Sequence, residues 1–280
     1  MKKRKRIGAI LLIIFLTLFT VINLSPFAWI FANSFRPSSE SFASSVLPQH
    51  WTLSSYIKVI TGADGQTQNA MRTMWNSFIV ASLSTLLGSV LAIMAAYGFS
   101  RFRFRGRSFL MAFLINLRTF PSIILAIALF AMAGRMGLYN TFTILVLANA
   151  MLNLPFATWN NMSILDSVPI ELDESAMVDG LGRLRALFQI VLPVAAPGIA
   201  GTTAYIFILS WNEYLFATNF ISTPEKQLVT TRIASAVTQT NTDYGSLMAT
   251  SMLATIPLII LFLLIQKYIV SGLAMGSVKG

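Results

Sequence analysis

The 280-residue chain is 55% hydrophobic and 11% charged, with a mean hydropathy of +0.70, a balance that excludes an ordinary soluble domain. A net charge of +10 would suit a nucleic-acid binder, but the lysines and arginines gather at the ends of apolar runs, where they orient a chain in a lipid bilayer and leave no role for nucleic acid. With no cysteine and a single histidine, His50, thiol chemistry, disulfides and a histidine-cysteine metal site are excluded as well.

In chain order, Lys2 to Arg6 precede an apolar run at about residues 7–32. That run is longer than the apolar core of a secretory signal and lacks a small-x-small cleavage site at a sensible distance, so it is expected to remain as a first span. Further apolar runs at about 77–99, 109–133, 142–165, 194–220 and 247–270 bring the expected spans to six. Each is near the roughly 20 residues a helix needs to cross about 30 Å of hydrocarbon. Bare backbone groups are costly in lipid and the runs lack the alternation of a barrel, so the expected fold is an all-α membrane bundle forming one domain over 1–280.

The basic residues set its orientation. Lys2 to Arg6, Arg101, Arg103, Arg105, Arg107, Arg183, Arg185, Lys267 and Lys279 fall on one side, against Arg36, Lys58, Arg72, Arg135, Lys226 and Arg232 on the other. The richer side is cytoplasmic by the positive-inside rule, which places both termini there. Of the outer segments, residues 33–76 carry Pro37, Pro48 and Trp51 and are expected to pack as a small cap. Residues 134–141 are short, and 221–246 read as a simple exposed loop or as a segment dipping back toward the pathway.

Polar groups inside the spans need a neighbour or a wet cavity. Asn149, Asn153, Asn160 and Asn161 lie along the fourth span and Trp211, Asn212 and Glu213 in the outer half of the fifth, as interhelical partners or as pathway lining. Pro121 and Pro155 predict bent helices in the third and fourth spans. Arg118, about nine residues into the third span, has Glu213 as its obvious counter-ion, yet eight residues of depth at 1.5 Å each leave roughly 12 Å of height between them. It is held by helix carbonyls and Asn side chains, snorkels inward, or faces the pathway and favours an anionic or sulfonated sugar.

Between the fourth and fifth spans lies a charged stretch, 171–193, that cannot cross a bilayer. Glu174 and Asp179 occupy its first half, Arg183 and Arg185 its second, and Gly180 and Gly182 mark a break, so it predicts two short helices joined by a turn. Leu184, Leu187, Phe188 and Val191 fall at helical spacing and form one apolar face for a protein groove or the membrane surface. Periodicity alone fits an ordinary surface helix equally well.

Its spacing goes further. Glu174, Ala176, Gly180, Ile190, Leu192 and Pro193 fit the E-A-A, three residues, G, nine residues, I-x-L-P loop, with Ser175 in place of the first alanine. The stretch therefore resembles that loop in permease subunits of bacterial ABC importers. Ala95 to Arg101 with Phe104, Arg105 and Gly106 looks like the end of the second span in carbohydrate importers of the maltose type. Trp211-Asn212-Glu213 resembles their W-N-[DE] motif, and the ending Gly276, Ser277, Val278, Lys279, Gly280 their G-x-V-K-G tail.

The resemblance implies a type I importer permease bundle with cytoplasmic coupling helices in a bacterial inner membrane. It implies a heterodimer with a second permease, two ATPase subunits holding ATP and Mg, and an extracytoplasmic sugar-binding protein. Glu174, Ser175, Ala176, Asp179, Gly180, Phe188, Ile190, Leu192 and Pro193 would then dock the ATPase, and Gly276 to Gly280 would reach it. Thr238 and Asn241 of the third outer segment would touch the binding protein, and Arg118, Asn149, Asn153, Trp211, Asn212 and Glu213 are candidates for the pathway. No cofactor or metal is expected in this chain. It has no G-K-[ST] phosphate loop, so ATP belongs to another subunit and the chain is not itself an enzyme. A proton-driven carrier would need more acids than Glu213 within its spans; a secondary transporter, the alternative reading, explains the spans but leaves the spacing of the loop unexplained, and a membrane enzyme would need a polar catalytic cluster that is lacking.

Overall fold

A computed structural model describes residues 2–40, 45–237 and 242–276. All regular structure among them is helical: α1 (Lys2–Asn33), α2 (Ser54–Thr61), α3 (Ala70–Arg101), α4 (Arg107–Leu117), α5 (Ser122–Arg135) and α6 (Phe142–Asp166). There follow α7 (Glu171–Val178), α8 (Arg183–Ala186), α9 (Leu192–Trp211), α10 (Leu215–Phe220), α11 (Val229–Ser235) and α12 (Tyr244–Gly276). Residues 8–33, 70–101, 142–166, 183–211 and 244–267 are each long and apolar enough to cross a membrane, which makes this a multi-pass membrane protein.

The third apolar run, expected as one span over 109–133, is built from the pair α4 and α5, bent by 94°. The break lies where Pro121, itself extended at ψ 124°, lacks a backbone N–H and pushes the residue before it away from helical geometry. Pro155 does not break α6, whose helix runs on through it. The fifth run also stops early, because α9 ends at Trp211 and the chain turns at Asn212 before α10 begins.

The chain divides into two compact units. One comprises residues 1–71 and 232–256. Here the buried Arg36 donates to Asn33 Oδ1 (2.8 Å) and to the carbonyls of Glu40 (3.2 Å) and Ser45 (2.7 Å), gathering the segment after α1. Arg232, 1% exposed, forms an ion pair with Asp64 and donates to the Gln68 carbonyl. Val59, Ala70 and Ala249 supply a small apolar core. None of the apolar window of α1 is buried within the chain, so its surface is left for lipid.

The other unit comprises residues 72–231 and 257–280 and holds both candidate sites. One core cluster joins Val80, Ala126, Ile144, Leu145, Phe216 and Phe220, and a second joins Ala96, Tyr97, Leu165, Val168, Leu187, Val191 and Ile199. Residues 221–231 are packed rather than looped out: Leu228 and Val229 are buried, Asn76 Nδ2 donates to the carbonyls of Glu225 (2.9 Å) and Gln227 (3.0 Å), and Lys226 donates to the Asn140 carbonyl (2.6 Å).

Candidate functional site

Two places in the larger unit carry polar chemistry, and the first is the loop between α6 and α9. It folds as the helix α7, a turn, and the short helix α8, which runs through a wide π-turn at Leu187–Val191 into α9. Glu171, Asp173 and Glu174 lie in the first turn of α7, where negative charge meets the positive end of the helix dipole. Gly180 makes the turn with φ +85°, a conformation that L side chains avoid, and a Cβ built there meets nothing within 4 Å. The position is thus restricted by backbone geometry on an open surface.

The loop sorts its residues into a rooted face and a free one. Ala176, Ala186, Leu187 and Val191 are buried, the last two in the cluster with Tyr97 and Leu165. Glu174, Ser175, Asp179, Gly180, Phe188 and Pro193 are exposed, with Ile190 and Leu192 intermediate. The single apolar face expected from Leu184, Leu187, Phe188 and Val191 is therefore divided. A stripe about 100° wide has two edges, and the bundle takes Leu187 and Val191 while Leu184 and Phe188 remain 60% and 50% exposed. Val178, 87% exposed beside the Gly180 turn, extends this free apolar surface and is not singled out by helical periodicity.

Asp173 was likewise not a sequence candidate. Its carboxylate accepts from the Tyr97 hydroxyl (2.6 Å) and from Arg101 Nε (2.8 Å), which binds the first arm of the loop to the end of α3. The available signal was Tyr97 and Arg101 one turn apart at the end of an apolar helix, so that both point to one side.

The second place is a cavity of about 400 Å³ at the α4–α5 break, lined by Arg118, Ser122, Asn149, Asn153, Leu209 and Glu213 among others. Its size lies in the range of about 300–1,000 Å³ usual for small-molecule sites. Arg118 follows the last residue of α4, where the carbonyl end of the helix dipole favours a cation. Its guanidinium stacks over the Phe156 ring at 4.7 Å, and Phe156 in turn packs on Tyr205. Among the described residues Arg118 has no ion pair, and its guanidinium rests on an aromatic ring.

Glu213 is engaged elsewhere: its carboxylate accepts the backbone N–H groups of Phe216 (2.6 Å) and Ala217 (3.0 Å), capping the first turn of α10. Asn149 Nδ2 bonds its own helix at the Leu145 carbonyl (2.9 Å), and Asn153 reaches Ser210 at 3.4 Å. Asn160 donates to Thr202 (2.6 Å), so it joins α6 to α9 and is not among the residues lining the cavity. Trp211 is buried against Phe207, and Asn212 bonds the Ile208 carbonyl of its own helix. Of the six pathway candidates the cavity brings together Arg118, Asn149, Asn153 and Glu213, and leaves Trp211 and Asn212 out. Thr238, Asn241 and Ser277, Val278, Lys279 and Gly280 lie outside the described residues, and Gly276 ends α12.

A membrane bundle with a largely apolar cavity carrying a few polar groups, and with a rooted helix pair presenting a free face at one end, is built as a transport subunit. The description "binding-protein-dependent transport system inner membrane component" fits residues 88–275, and the chain belongs to that family. It is 37% identical to the trehalose/maltose transport system permease protein MalG of Thermococcus litoralis over 274 residues, covering 97% of each chain. In fold it is similar to a chain of a bacterial ABC transporter involved in the import of the acidic polysaccharide alginate, with a TM-score of 0.77 at 21% identity over 94% of this chain and 96% of that one. A second structure, of an alginate transporter in complex with its alginate pentasaccharide-bound periplasmic protein, matches with a TM-score of 0.67 at 17% identity, covering 94% and 93%. The all-helical permease fold expected from the sequence is thereby established, as is a non-enzymatic role within an inner-membrane transport system.

Proposed function

We propose that this chain is the membrane-spanning permease subunit of an ATP-driven, binding-protein-dependent carbohydrate importer. It forms half of the translocation pathway beside a second, related permease. Two ATPase subunits, which hold ATP and Mg, bind the loop at 171–193 from the cytoplasm, where both termini also lie. The observation that carries this reading is the free face of the loop: Glu174, Val178, Leu184 and Phe188 are exposed around the Gly180 turn, while Ala176, Leu187 and Val191 root it in the bundle. An exposed apolar patch rimmed by charge is the mark of a protein partner.

The carbohydrate assignment is supported by the trehalose/maltose relative and by the cavity, whose Ser122, Asn149 and Asn153 side chains suit sugar hydroxyl groups. A binding protein delivering the sugar from outside is supported by the family's description and by the alginate complex. Residues Thr238 and Asn241 are assigned to contact with that protein and Gly276 to Gly280 to contact with the ATPase pair.

Movement of the ATPases as they close on ATP would push the helix pair and switch the bundle between its inward- and outward-facing states. Gly180→Asp tests this directly. The side chain has room but the backbone does not suit it, so the turn is distorted within the docking face. Binding-protein-stimulated ATP hydrolysis and uptake should be lost while the subunit stays in the membrane; wild-type coupling in this variant would defeat the reading.

A further inference from the structure

The end of α3 carries chemistry that neither the docking face nor the cavity uses. Tyr97 and Arg101 close from one side on Asp173 of α7, and in the Arg101–Asp173 ion pair each side chain is only 5% exposed. Arg101 also donates from Nη2 to the Val168 carbonyl (2.9 Å), which leads into α7, so a planar fork with several donors is used where a lysine could not make both contacts. One residue further, the Phe102 ring stands edge-on to Tyr97 at 6.4 Å and lies beneath the Arg183 guanidinium of α8 at 4.8 Å. Both arms of the loop are thus held by Tyr97 to Phe102. Just before the loop the same end of α3 is joined to α6, through the Ser100 hydroxyl donating to Asp166 (2.5 Å).

We infer that Tyr97, Arg101 and Phe102 are positioning residues that lock both arms of the loop at 171–193 to α3, so that the loop and this span move as one body. The inference rests on the reading of that loop as the ATPase dock. Separating a buried carboxylate from its arginine leaves two enclosed charges without a counter-ion, so the junction resists opening more strongly than surface contacts do. Displacement at the free face therefore displaces α3, and with it the bundle, instead of being absorbed by the loop.

The chain has no cysteine, so spin labels can be placed on Glu171→Cys, exposed at the start of α7 and outside the free face assigned to the ATPase, and on the exposed Met94→Cys, in the assembled importer with its partners' cysteines removed. The label-to-label distance is measured without nucleotide and after trapping with ATP and vanadate. In the wild-type background it should agree between the two states within about 2 Å, as for two parts of one packed body. In Arg101→Gln and Asp173→Asn it should broaden or shift on trapping, and ATP hydrolysis stimulated by the binding protein, with trehalose and maltose as probes, should fall about ten-fold with the ATPase subunits still bound. Tyr97→Phe, which keeps the ion pair, should lose less, and Arg101→Lys should recover part of the stimulation. A wild-type distance that changes by about 5 Å or more between states would overturn the inference, since packed elements shift as bodies. So would full stimulation in Arg101→Gln and Asp173→Asn, or loss of the ATPase subunits from them, which would make the junction part of docking. Docking itself is tested separately by Gly180→Asp.

Discussion

Arg118 shows how much one side chain's meaning depends on its surroundings. Depth counting makes it a charge near the middle of a span facing a poorly matched Glu213; the structure places it at a helix end, on the Phe156 ring, beside a cavity, with Glu213 capping α10. On the proposed reading of the cavity as part of the pathway, Arg118→Gln should lower uptake several-fold without reducing ATPase assembly, an interaction of about 0.5–2 kcal/mol being removed. Uptake unchanged from wild type would take Arg118 out of the pathway. Asp243 offers a second test at this scale. Burial raises its carboxyl, but hydrogen bonds from the Ser38 hydroxyl and from the Ser246 backbone and hydroxyl, with Lys58 nearby, outweigh this and hold it below the usual carboxylate range. A depressed native value gives stability that is fully present above the unfolded value of about 3.9 and is lost as pH falls through the lower native one. Thermal unfolding in detergent should therefore lose stability below about pH 4, and Asp243→Asn should flatten that acid limb; an unchanged limb would remove Asp243 as its source.

At the scale of elements, hydropathy located the spans because a helix in lipid is specified by length and apolarity alone. It did not locate the break between α4 and α5. Pro121 was a legible signal for a bend, but whether a proline bends a helix or ends it depends on the surrounding packing, as Pro155 inside α6 illustrates. The two short helices α7 and α8 are legible from Gly180, Gly182 and the charges. The junction with α3 is not, because Tyr97 and Asp173 are far apart in sequence and Arg101 reads as one more orienting charge. Of the two readings open for residues 221–246, the exposed loop does not describe 221–231, and the sequence does not show this because Asn76 and Asn140, which tie them down, lie in other segments. The start of α12 has a tight constraint of its own: a Cβ on Gly245 would lie 2.2 Å from the Arg36 carbonyl oxygen and 2.6 Å from Ser55 Oγ. Gly245→Ala should therefore destabilise the smaller unit by about 1–3 kcal/mol, as overpacking does. A melting temperature equal to wild type would show that the contact yields freely.

For the molecule as a whole, the chain supplies spans, a cavity and a rooted helix pair with a free face, and its sequence holds no G-K-[ST] phosphate loop; on the proposed reading its action depends on assembly with ATPase subunits. The central claim is that the free face of the loop at 171–193 meets an ATPase in the cytoplasm. A single cysteine in place of the exposed Phe188 tests orientation and contact together, because the chain has no other. In membranes containing the whole importer, Phe188→Cys should crosslink to the ATPase subunit and should resist a membrane-impermeant thiol reagent added from outside the cell. Labelling from outside, or crosslinking only to the second permease or to the binding protein, would contradict the account.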